Sequence, residues 1–117
     1  MSTKATIWKQ NPDGTYNGVY VHWDGYIKNG VGQMLHENWK SPCRVDLLIE
    51  QGDISSLGET LENTVFYSRD RGEPWSEVRP VMNGTMEEIV QDICYVYAGQ
   101  SWWVNYDRTL VPVSDLL

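Results

Sequence analysis

Residues Thr85–Tyr106 read TMEEIVQDICYVYAGQSWWVNY, and the fold turns on where helix gives way to strand within them. Thr85-Met86-Glu87-Glu88 has the form of a capping box, in which the Thr and the Glu three residues later satisfy each other's orphan backbone donors. Met86, Ile89, Val90 and Ile93 continue at helical spacing, so the pattern predicts a helix starting at Thr85. Carried on to Tyr97 with Gly99 as its stop, that helix would leave the sheet without its last strands. The alternative ends the helix early. ICYVY is rich in β-branched and aromatic residues, and YVY-AGQS-WWVNY has the form of a hairpin on a four-residue, Gly-containing loop. The hairpin is the reading adopted.

Outward from this stretch the other elements fall into place. Thr6–Lys9 and Val19–Trp23 are short β-rich runs joined by NPDGTYNG, whose Pro-Asp-Gly marks a turn, and they predict a second hairpin. Val31, Met34, Leu35 and Trp39 recur at helical spacing and predict an amphipathic helix over Val31–Trp39, with His36 beside the apolar stripe. Ser41 suits an N-cap and Pro42 the first helical position. Val45, Leu48 and Ile49 form one face and Gly52 a left-handed stop, so a helix is predicted over Pro42–Gln51. DISSLGETLEN (53–63) is read as a loop with a single turn, TVFYS (64–68) as a strand and RDRGEPW (69–75) as a charged loop. LVPVSDLL (110–117) is read as a short extended piece and a helical turn. The order ββ-αα-β-α-ββ predicts a single α+β domain over residues 1–117, with an antiparallel or mixed sheet of about five strands and about three helices packed mainly on one face.

Composition bounds the function. A chain of 117 residues buries a core without metal or disulfide staples. Six Trp and seven Tyr against one Phe make its aromatics polar-tipped, the kind that sit half in a core and half at a binding surface. The opening MSTKATIWKQ lacks a signal peptide's apolar stretch and no apolar run is long enough to span a bilayer, so a soluble, cytoplasmic protein with no membrane contact is expected. Cys43 and Cys94 are read as small hydrophobes. The net charge is −7. Val45–Tyr67 holds five carboxylates and Pro80–Asp107 four (Glu87, Glu88, Asp92, Asp107), with no Lys or Arg in either stretch. Direct nucleic-acid binding is disfavoured, because phosphates need a basic patch, whereas a partner with a basic surface would be steered toward such a chain. The competing reading makes these carboxylates the solvated faces of helices.

VYVHWDGYIKNGVGQML (19–35), GDISSLGE (52–59), FYSRDRGE (66–73) and YVYAGQSWWVNY (95–106) together resemble a family of small proteins of tailed phages and prophages carrying these motifs in the same order. Ile27 departs from the Pro that family members often place after the Asp-Gly-Tyr. The family has no assigned enzymatic activity, so a non-enzymatic protein without a cofactor is the expectation, and the resemblance implies an origin more than a mechanism. It implies an accessory protein in the cytoplasm of a bacterial host, of a class that includes inhibitors of CRISPR and restriction systems.

Three clusters are candidate sites. His22 and Asp24 share a strand face to which His36 could return, but two histidines and one carboxylate at this spacing are a weak metal signature, and a hydrogen-bonded strand His is commoner. The Asp24-Gly25 and Asn29-Gly30 dipeptides offer the structural alternative, a joint bracketed by Trp23 and Tyr26. Arg69 and Arg71 could hold a phosphate or carboxylate, and with His22, Trp23, Asp24, Tyr26 and the C-terminal tryptophans could line a pocket that binds or cleaves a nucleotide; Asp70 and Glu73 could equally neutralise them. No nucleophilic triad is recognisable. Glu87, Glu88, Asp92, Trp102 and Trp103 are the residues expected to meet a protein partner. An aromatic hairpin that forms a homo-oligomer is the remaining alternative.

Overall fold

The computed structural model describes residues 3–106 and 108–117; Asp107, counted above among the carboxylates, lies outside the described residues. The chain runs through β1 (Ala5–Gln10), β2 (Tyr16–Val21), α1 (Val31–Asn38), α2 (Pro42–Glu50), β3 (Ile54–Ser56) and β4 (Val65–Phe66). It continues through α3 (Trp75–Val78), β5 (Val81–Gly84), a 3-10 turn (Met86–Glu88), β6 (Cys94–Ala98), β7 (Ser101–Tyr106), β8 (Thr109–Pro112) and a closing 3-10 turn (Val113–Leu116). These strands form one mixed, eight-stranded sheet in the order β4-β3-β2-β1-β6-β7-β8, with β5 also on β2.

Both predicted hairpins form. β1 and β2 pair antiparallel from Ala5↔Val21 to Gln10↔Tyr16, and β6 and β7 from Tyr95↔Val104 to Ala98↔Ser101. The second hairpin turns on two residues rather than four: Gly99 and Gln100 take φ of +59° and +63°, the paired positive values of a type I′ turn, whose twist matches that of the strands. β6 lies parallel to β1 and β3 parallel to β2, and these pairings make the sheet mixed.

One face of the sheet carries the core. Ile7, Val19, Val21, Tyr95, Trp102 and Val104 stand on it, and Leu35 of α1 and Val45, Leu48 and Ile49 of α2 pack into the same cluster. Full burial of each aliphatic side chain contributes about 1.5–3 kcal/mol. Ser41 caps α2 as expected, its hydroxyl accepting from the Arg44 N–H at 3.3 Å, and Gly52 adopts φ +86° after it.

The helix expected at Thr85 does not form. The capping box is present, yet it closes only the 3-10 turn Met86–Glu88, and Ile89 is already extended. The box is a one-turn signal, whereas propagation needs an apolar face with something to pack on. Val90, on that expected face, is 79% exposed. The third helix is instead the single turn α3, which begins at the last residue of the predicted charged loop and has no buried residue. The strand expected over residues 64–68 forms as the two-residue β4, and the expected five strands become eight through β3, β5 and β8, whose three or four residues each are too few to show alternation.

Candidate functional site

The HWDGY segment leaves the sheet at Val21. The His22 and Trp23 N–H groups donate to the carbonyls of Ile54 and Ser55, each at 3.0 Å, so β2 continues along β3 before the chain turns. Asp24 and Asn29 take φ of +59° and +57°, so the turns use Asp and Asn, which tolerate the left-handed region, and not the glycines beside them. The carbonyls of Asp24, Tyr26 and Ile27 accept the N–H groups of Val31, Gly32 and Gln33 at 2.7, 3.0 and 2.8 Å. The orphan donors of the first turn of α1 are thereby satisfied by backbone. Gly30 must be Gly, since a Cβ there would lie 2.4 Å from the Asp24 carbonyl oxygen. Tyr95 locks the joint from beneath, its hydroxyl donating to the Gly25 carbonyl at 2.6 Å.

The backbone of the motif is thus a joint while its side chains form a surface. Trp23 is 42% and Tyr26 46% exposed. Trp23 and Asp24 form one wall of a cleft of about 310 Å³, whose other walls are the flank of α1, through Gln33, Met34 and Glu37, and the loop carrying Leu57 and Glu59. That loop is held rigidly. The buried Trp39 donates from its indole Nε1 to the Gly58 carbonyl at 3.0 Å, and Arg44, stacked on the same ring at 4.5 Å, donates to the Glu59 carbonyl at 3.1 Å. Asp24, Glu37 and Glu59 line the cleft, and its described lining residues include no Lys, Arg or His. Such a surface attracts a cation, with an indole face for cation–π contact and Met34 and Leu57 to cover an aliphatic stem.

The other predicted ligand residues lie elsewhere. His22 is half-buried with its Nδ1 2.7 Å from the Tyr20 hydroxyl and is not among the residues lining the cleft. His36 is directed to a different pocket, with Lys40, Tyr97 and Trp102, so the two histidines and Asp24 are not assembled as a metal set. Arg69 serves its own loop. It donates to both oxygens of Asp70 at 2.9 Å and to the carbonyls of Leu61 and Thr64 at 3.0 and 2.7 Å, and lies over the Phe66 ring. Hydrogen bonding from Arg69 holds the Asp70 carboxyl below its usual range. Arg71 is exposed and lies over Tyr67.

Of the residues expected to meet a partner, Trp102 is a core residue: it is 4% exposed and its Nε1 donates to the Trp39 carbonyl at 2.7 Å. Trp103, on the opposite face, is half-buried against Val96 and Leu110. Glu87 and Asp92 are exposed, but without the expected helix they share no face, and the Glu88 carboxylate accepts from the Thr85 N–H at 2.9 Å.

Asp53 went unremarked as a site in the sequence. Its carboxylate accepts the Tyr20 N–H at 3.0 Å, at a point where β2 has β3 on one side of the gap and β5 on the other. Burial pushes its pKa up to about 6. The signal available was the Gly52-Asp53 step after the helix stop, which sets a carboxylate at the start of a buried strand. No family model, curated protein or solved structure matches the chain.

Proposed function

We propose that this protein is a non-enzymatic binding module whose acidic cleft takes a basic segment of a partner protein. One observation carries the reading: Trp23 and three carboxylates, Asp24, Glu37 and Glu59, face one cleft with no cation among its described lining residues. An Arg or Lys side chain would lay its stem on Met34 and Leu57, stack on the Trp23 indole and place its charge among the carboxylates. Following the resemblance to phage and prophage proteins, the partner we propose is a nucleic-acid-handling host protein of the CRISPR or restriction kind, whose basic surface the net charge of −7 would draw in. The nucleotide alternative loses ground because Arg69 is committed to Asp70 and neither Arg69 nor Arg71 lines the cleft.

Affinity capture from a bacterial host at low salt, with and without Trp23→Ala, tests this. Retention of a basic protein by the wild type, its release by salt and its loss in the variant are expected. A retained protein indifferent to both salt and Trp23→Ala would refute the cleft as the binding surface.

A further inference from the structure

A second pocket lies at the C-terminal end of α1, and its chemistry is the reverse of the cleft's. It encloses about 320 Å³, within the size range of small-molecule sites. His36 in the last turn of α1 and Lys40 just beyond it bring two nitrogen bases to its wall, and Gln100, Ser101 and Ser114 bring an amide and two hydroxyls. There is no carboxylate among its described lining residues. The two ion pairs among the described residues use Lys9 and Arg69, so neither His36 nor Lys40 is spent on one.

A helix C-terminus ordinarily opposes an anion, because its last carbonyls are unsatisfied acceptors carrying partial negative charge. Here the last helical carbonyl, that of Asn38, and the two that follow it are taken. The Asn38 carbonyl accepts from the Arg44 guanidinium, the Trp39 carbonyl from Trp102 Nε1 at 2.7 Å, and the Lys40 carbonyl from the Tyr97 hydroxyl at 2.9 Å. Three successive carbonyls are therefore each covered by a side-chain donor from elsewhere in the fold. What remains open at the mouth is donors: ammonium, imidazole, amide and two hydroxyls.

We propose that this pocket binds a phosphate group, as inorganic phosphate or as the monoester of a small organic molecule. Donors from three directions, α1, the β6–β7 turn and the closing 3-10 turn, suit a tetrahedral group with three acceptor oxygens better than a planar carboxylate. Pro112 and the edge of Trp102 supply an apolar floor for an ester substituent. The overall negative charge acts on this site weakly, since salt at physiological strength screens exposed charges beyond about 8 Å.

The test is a titration of the ¹⁵N-labelled full chain with inorganic phosphate, phenyl phosphate and acetate, with ionic strength held constant by chloride and followed by amide chemical shifts. Saturable shifts at His36, Lys40, Gln100, Ser101 and Ser114 are expected with both phosphates and not with acetate. Tighter binding of phenyl phosphate with added shifts at Trp102 would identify a monoester as the ligand, and equal binding would identify free phosphate. His36→Gln and Lys40→Gln alter exposed or half-exposed side chains, so their spectra should otherwise match the wild type, with phosphate affinity lowered about tenfold or more. Shifts that rise without saturation, or an affinity unchanged in both variants, would overturn the site.

Discussion

α1 presents two chemistries within eight residues. Along its flank, Glu37 faces a cleft that gathers carboxylates around the Trp23 indole; at its end, His36, the preceding residue, faces a pocket that gathers donors. Neighbours on a helix point about 100° apart, so one step in sequence separates two surfaces of opposite sign. The N-terminal donors of the helix are closed by the carbonyls of Asp24, Tyr26 and Ile27, and at its other end the carbonyls of Asn38, Trp39 and Lys40 are covered by Arg44, Trp102 and Tyr97. With these backbone groups taken by the fold, the side chains set what each surface attracts.

The largest expected effect comes from Trp102, which lines the pocket and, by donating to the Trp39 carbonyl, buttresses the residue that fastens the cleft's loop. Trp102→Ala should cost about 3–5 kcal/mol in chemical denaturation, the loss typical of a buried large aromatic, and weaken both sites together. Trp102→Phe keeps an aromatic ring but removes the pyrrole portion with its Nε1 donor to the Trp39 carbonyl, at about 1–3 kcal/mol for the orphaned acceptor with a smaller cavity cost beside it. It should reduce phosphate binding and spare the cleft, because it exposes an acceptor at the pocket alone.

Asp53 gives the next effect, through pH. Its pKa is raised to about 6 in the folded chain against about 3.9 unfolded, so the native state binds more protons between those values and stability falls as pH rises through that window. The contribution, discounted for partial exposure, is about 1–2 kcal/mol. Asp53→Asn, which keeps an acceptor for the Tyr20 N–H, should flatten the stability profile between pH 4 and 6 by about that amount; an unchanged slope would show that another group titrates there.

Trp23→Ala sharpens the contrast at the cleft. Stability should stay within about 0.5 kcal/mol, since the side chain is exposed, while affinity for an arginine-rich peptide should fall about tenfold, the scale of a partly desolvated cation–π contact. Last, Asp46→Ala removes the 2.7 Å pair with Lys9, neither residue of which lines the cleft or the pocket. It should cost less than about 1 kcal/mol and change neither site.

Elements long enough to show a period, or punctuated by their own caps, were legible: both hairpins, α1 and α2 with its Ser41 cap. The helix at Thr85 was misread because a capping box reports one turn, while propagation depended on a packing surface that Val90 does not find. Trp102 was misassigned because alternation divides a strand into two faces without saying which one meets the helices. The cleft was half legible, through Trp23 and Asp24. Glu59 and Leu57 reach it only because Trp39 and Arg44 fasten their loop from long range, and the pocket at His36 draws on residues more than 60 positions apart, such as His36 and Gln100.

One ¹⁵N-labelled sample titrated with an arginine-rich peptide at low and at physiological salt tests the central claim most directly. The account predicts saturable shifts at Trp23, Asp24, Gln33, Glu37, Leu57 and Glu59, weakened by salt, with His36, Lys40 and Ser114 unmoved. Shifts that gather at another acidic stretch, such as Glu87 to Asp92, or that spread over the whole surface, would contradict it.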